Sequence, residues 1–81
     1  MKPGDLVAPW TRCTVTKIKE PTFFSRGRSR EWIPGQIATI IVESSREIKG
    51  NHVLKFQILL DGELWWTSAV AVHRLEADGT W

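Results

Sequence analysis

Tyrosine is absent from this chain of 81 residues, and cysteine and methionine occur once each. Cys13 has no second cysteine with which to form an internal disulfide or a cysteine-built zinc site. Because the chain has only two histidines, His52 and His73, we expect no histidine-based metal site and no cofactor. No apolar run approaches the roughly 20 residues that a membrane-spanning helix needs, so we expect no association with a membrane.

Several other features also limit the possible functions. Residues 1–5 contain no apolar stretch of the kind that signal peptides carry, so we expect a protein that is not secreted by such a peptide. The formal net charge of +2 is too small to indicate one class of partner. With 42% hydrophobic and 25% charged residues, the composition is typical of one folded domain.

The residue types that catalyse reactions are scattered along the sequence. Cys13 has neither histidine nearby to activate it as a nucleophile. The carboxylates form no spaced metal-binding cluster, and no glycine-rich phosphate-binding loop is present. We therefore expect a protein without enzymatic activity and assign no catalytic residue.

The remaining sequence predicts β-strands throughout. Residues 37–42 are a β-branched run, residues 52–60 alternate between two faces, and Asp61-Gly62 is a strong hairpin signal. A long irregular loop spans residues 19–34. The pattern predicts a single all-β barrel of five or six short antiparallel strands over residues 1–76, followed by a tail over 77–81. The predicted core comprises Val7, Ile37, Ile40, Val42, Leu54, Phe56, Ile58, Leu64 and Trp66.

Three segments together resemble SH3-like small barrels, namely Gly4-Asp5-Leu6-Val7, Gly35-Gln36-Ile37-Ala38-Thr39-Ile40 and Asp61-Gly62-Glu63-Leu64-Trp65-Trp66. The second is similar to the glycine-led strand of the KOW-type motif, with Ala38 where a glycine is usual. The whole arrangement most resembles short, mostly uncharacterised proteins of tailed bacteriophages, including cyanophages. The resemblance implies a virion component or a protein of the host cytoplasm. Barrels of this kind bind proteins, RNA, DNA or one another.

The loop interleaves arginines with aromatic residues. Between Arg12 and Glu31 the local charge is +4, and the candidate binding residues here are Phe23, Phe24, Arg26, Arg28, Arg30 and Trp32. Arginine pairs with phosphates and aromatic rings stack on bases, which favours nucleic acid. The same residue types are enriched in protein interfaces. A third interpretation is a solvated loop with the phenylalanines folded over one end of the barrel.

Trp65-Trp66 is the second candidate feature, because adjacent strand residues face opposite sides. The resemblance places Trp66 in the core, which leaves Trp65 exposed or covered by the loop through Phe24 or Trp32. We therefore expect an interaction or assembly module that binds a protein partner, or a second copy, through the loop and Trp65. The alternative is a DNA- or RNA-binding barrel that uses the arginine-rich loop.

Overall fold

The computed structural model of the chain describes residues 1–19 and 27–75. In these residues it forms seven β-strands, one turn of 3₁₀ helix and no α-helix, which confirms the all-β prediction. The elements are β1 (Leu6–Pro9), β2 (Cys13–Thr16), β3 (Ser29–Trp32), β4 (Ala38–Ile48), β5 (Asn51–Leu60), β6 (Glu63–Ser68), the 3₁₀ turn (Ala69–Ala71) and β7 (Val72–Arg74). No helix in the described part of the chain is long and apolar enough to cross a membrane. The predicted tail over 77–81 lies outside the described residues.

The strands form one antiparallel sheet in the order β3-β2-β6-β5-β4-β1-β7, curled into a half-barrel. Seven strands are present instead of the predicted five or six, because the region between β1 and β4 contains a hairpin. Its strands β2 and β3 pair from Cys13↔Trp32 to Thr16↔Ser29. The prediction of an irregular loop over 19–34 is therefore wrong for β3, whose short polar stretch has no apolar alternation to reveal a strand.

Two tight turns connect β4, β5 and β6. Asp61 and Gly62 have φ of 53° and 79°, the positive values that a type I′ hairpin turn requires, as the sequence predicts. Lys49 and Gly50 adopt the same conformation, with φ of 50° and 80°. This second turn lets β4 and β5 pair as far as Ile48↔Asn51, well beyond the predicted strand over 37–42.

In the part of the chain that the structure describes, no third strand lies beside the far end of the β4–β5 hairpin. Pairing between β5 and β6 stops at Lys55↔Ser68, whereas β4 and β5 stay paired beyond it. Residues 45–54 thus form a two-stranded projection, which we call the ribbon arm. On the side of β5 where β6 would continue, residues 52–54 present a strand edge with which no described strand pairs.

The buried core includes five predicted members, because Val7, Ile40, Phe56 and Ile58 are buried and Leu54 packs partly against them. The prediction is wrong for Ile37, Val42, Leu64 and Trp66. Ile37 precedes the inward Ala38 and so faces outward. An irregularity between Ile40 and Val42 shifts the pairing and turns Val42 outward opposite Gln57.

The face of β6 is the reverse of the predicted one. Trp65 pairs with the inward-facing Ile58, and directly opposed residues lie on the same side of a sheet. Trp65 is therefore only 2% exposed, whereas Leu64 is 41% exposed and Trp66 is partly buried on the outer face. Trp32 and Trp65 are the largest side chains in the core.

Candidate binding site

Two of the predicted binding residues belong to the core. Trp32 is fully buried, and its Nε1 donates a hydrogen bond of 2.9 Å to the main-chain oxygen of Gln36. Trp65 is buried beside it in the same cluster. Neither indole can contact a partner, so these two assignments are wrong. The predicted residues Phe23, Phe24 and Arg26 lie outside the described residues.

The two remaining predicted arginines form ion pairs with acidic residues of the β5–β6 turn. Arg30 Nη1 lies 2.9 Å from Oδ2 of Asp61, and Arg28 Nη1 lies 4.0 Å from Oε1 of Glu63. Lys17 also reaches Glu63, at 3.8 Å. Exposed pairs of this kind contribute little stability, but they place negative charge beside the predicted basic loop.

The local fold explains why these charges meet. The main-chain N–H of Lys17 donates to the oxygen of Arg28 at 2.9 Å, which extends the β2–β3 hairpin past its last paired residues. Thr16 pairs with Trp66, so this hairpin lies beside β6 and the turn that precedes it. A Cβ added at Gly27 would lie 2.5 Å from Cγ1 of Ile18, so a side chain at position 27 would require the Ile18 side chain to shift.

The described residues have an exposed tryptophan elsewhere, at the end of β1. Trp10 is 63% exposed, although its main chain is held in place. Its N–H donates to the oxygen of Ala71 at 3.1 Å, and its ring centroid lies 4.2 Å from that of His73. Trp10 is therefore positioned by the 3₁₀ turn and the start of β7. Sequence reasoning missed it as a site because a single indole after Pro9 shows no periodicity that assigns a face.

The 3₁₀ turn also borders a groove of about 450 Å³. We call it the turn groove, and it is lined by His52, Val53, Leu54, Ser68, Ala69 and Val70. One wall is the free strand edge of the ribbon arm, and the other is the turn. Val70 is 86% exposed, the highest value among the large apolar residues described. The sequence predicts a 3₁₀ turn over residues 68–70, but a single turn between two strands has no periodicity that shows whether Val70 faces the core or solvent.

The chemistry of Cys13 differs from that of a reactive thiol. It is a free, partly buried cysteine on β2, and burial raises the pKa of its thiol above the ordinary value of 9.0. The thiolate, which is the nucleophilic form, is therefore scarce near neutral pH. Within residues 1–19 and 27–75, no three His, Cys, Asp or Glu side chains gather in a way that could hold a metal ion.

The chain was compared with known proteins, and no protein-family model, curated protein or solved structure matches it. The resemblance to SH3-like barrels and phage proteins thus receives no support from relatives.

Proposed function

We propose that this protein is a non-enzymatic interaction module with an SH3-like barrel fold, and that it binds a protein partner at the turn groove. The strand order supports the fold. Five antiparallel strands run β7-β1-β4-β5-β6, a 3₁₀ turn connects β6 to β7, and a long hairpin separates β1 from β4. This arrangement is similar to that of SH3-like barrels. An origin in a phage, with the protein in the virion or the host cytoplasm, is proposed on the sequence resemblance alone.

The observation that carries the binding function is the pair of exposed apolar side chains at the 3₁₀ turn, Trp10 and Val70. Val70 lines the groove, and Trp10 is held at the same 3₁₀ turn by its hydrogen bond to Ala71, so both side chains leave apolar groups in water at this turn. Tryptophan is among the residues that contribute most energy to protein interfaces. Its fixed backbone also means that little further conformational entropy is lost when a partner docks.

The free edge of β5 indicates the form of the partner segment. Among the described residues, no strand pairs with residues 52–54 on the groove side, since β6 ends its pairing at Ser68. An extended peptide can hydrogen-bond to such an edge and place alternate side chains in the groove. We propose that the partner contributes an extended segment with an apolar residue against Val70 and Trp10.

A library of random linear peptides, displayed on yeast and selected for binding to the whole protein, tests this function. Peptides that bind the turn groove should lose roughly tenfold or more in affinity with Trp10→Ala or Val70→Asp. Val42→Asp is the matched control, because Val42 is also an exposed valine but lies on the outer face of β4. Circular dichroism confirms that each variant is folded.

The function would be refuted if selected peptides bound Trp10→Ala and Val70→Asp as tightly as they bind the unaltered chain.

The alternative of nucleic-acid binding by the arginine-rich loop is less favoured. Arg28 and Arg30 already have carboxylate partners, which a phosphate would have to displace.

A further inference from the structure

A second surface lies on the outer face of the sheet, opposite the core. Lys19, which follows β2, extends its side chain over this face, and its Nζ donates to Oγ of Ser44 on β4. Lys55, on β5 between these strands, donates from Nζ to the main-chain oxygen of Lys19 at 2.7 Å. Lys19 is therefore hydrogen-bonded to both β4 and β5, through its own ammonium group and through that of Lys55.

Positive charge at this position is not neutralised within the described residues. None of the ion pairs that Arg12, Lys17, Arg28 and Arg30 form with carboxylates of the described residues includes Lys19 or Lys55. Within the described residues, the hydrogen-bond acceptors of both lysines are neutral oxygens. Each ammonium has three donors and uses one here, so donors remain for an anion.

The two lysines border a cleft of about 170 Å³ that also contains an aromatic ring. We call it the lysine cleft, and it is lined by Thr14, Thr16, Lys19, Lys55, Trp66, Thr67 and Ser68. Trp66 faces this side because Trp65 faces the core. Its ring centroid lies 5.4 Å from Nζ of Lys19, which is within the range of a cation–π interaction.

The hydroxyl groups add further polar contacts. Thr16 donates its only hydroxyl hydrogen to the oxygen of Ile18 at 2.7 Å, so it has no donor for an anion and can only accept a hydrogen bond. Thr14 and Ser68 line the same cleft, and their hydroxyls can donate to an anionic oxygen. Lysines and hydroxyls suit a phosphate group, whereas the indole suits a flat ring.

We infer that the lysine cleft binds a nucleotide unit, with its phosphate at Lys19 and Lys55 and its base against Trp66. The unit comes either from a free mononucleotide or from a single-stranded nucleic acid, since both carry a phosphate next to an exposed base. This site shares only Ser68 with the turn groove, and the variants that test the two proposals differ, so failure of either proposal leaves the other intact.

Fluorescence anisotropy with a labelled single-stranded oligothymidylate tests the inference at low salt. The unaltered protein should bind, and log K should fall linearly with log salt concentration. Lys19→Gln and Lys55→Gln should each weaken binding and reduce the magnitude of that slope by about 0.7. Lys2→Gln is the matched control, because Lys2 is exposed outside the cleft and its loss should change the slope little.

Two further variants separate the roles of charge and ring. Lys55→Arg keeps the positive charge and should retain most of the binding, which distinguishes a binding role from a structural one. Trp66→Leu should weaken oligonucleotide binding by roughly five- to 150-fold, the range found when one stacked base is lost. Circular dichroism shows whether each variant has folded.

Competition then identifies the source of the nucleotide. If thymidine monophosphate displaces the labelled oligomer as well as an unlabelled oligomer does, the ligand is a free nucleotide. If only the unlabelled oligomer displaces it, the ligand is a single strand. The inference is overturned if the oligonucleotide does not bind, or if folded Lys19→Gln and Lys55→Gln bind it unchanged. Inorganic phosphate competing as well as the mononucleotide would likewise overturn it, because the ring would then contribute nothing.

Discussion

The two buried tryptophans differ in one respect that stability measurements can detect. Trp32 and Trp65 are exposed by 0% and 2%, so replacing either with phenylalanine removes a similar amount of buried ring. Trp32 Nε1 donates to the main-chain oxygen of Gln36 at 2.9 Å. Trp65 Nε1 is buried and has no acceptor among the described residues.

The difference between the two substitutions can therefore be worked out from hydrogen bonding. Trp32→Phe removes a hydrogen bond and leaves the oxygen of Gln36 without its donor, a loss of about 1–3 kcal/mol. Trp65→Phe removes a donor that was already unsatisfied, so no such loss occurs. We expect Trp32→Phe to lower the free energy of unfolding by about 2 kcal/mol more than Trp65→Phe does.

Lys17 does not reverse this order. Its Nζ lies 4.4 Å from the Trp65 ring centroid, and a phenylalanine would keep part of the cation–π attraction, itself about 0.5–1 kcal/mol at an exposed site. Urea unfolding followed by circular dichroism measures both variants without relying on tryptophan fluorescence. If Trp65→Phe proved as destabilising as Trp32→Phe, the assignment of hydrogen bonds to the two indoles would be refuted.

Two other predictions concern a turn and a thiol. Gly62→Val should destabilise the domain by about 1–3 kcal/mol, because a β-branched residue resists the positive φ of 79° there, whereas Gly62→Asn tolerates it better. Equal thermal melting temperatures for these two variants would contradict this account, since no neighbouring atom restricts the added Cβ. Burial raises the pKa of Cys13, so the pH at which its alkylation rate is half-maximal should lie above 9.0 in the folded protein. The urea-unfolded chain serves as the control, and an equal or lower midpoint in the folded protein would contradict the effect of burial.

Local patterns predicted the parts of the fold that depend on neighbours in sequence. Asp61-Gly62 determines its own turn conformation, and the alternation over Phe56 and Ile58 identifies the inner face of β5. The face of β6 was not predictable in this way, because Leu64 with Trp66 and Trp65 with Thr67 are both plausible inward pairs. Only the register that places Trp65 opposite Ile58 decides between them.

The candidate sites were less accessible to sequence reasoning, because they depend on residues that are distant in the chain. Arg30 meets Asp61 across 31 positions, so the predicted basic loop gave no sign of its carboxylate partners. Lys19 and Lys55 come together across 36 positions. The position of Trp10 depends on its contacts with Ala71 and His73, which are distant from it in the sequence.

The strand order has a consequence for how the chain folds. Strands β4, β5 and β6 are consecutive both in sequence and in the sheet, joined by two-residue turns, so they can pair with little loss of loop entropy. Strand β1 pairs with β4 on one side, and its other partner, β7, comes from the opposite end of the described chain. During synthesis the β4–β5–β6 meander can therefore form before the β1–β7 pair. Trp10 is anchored through Ala71, so its environment is completed only in that last step.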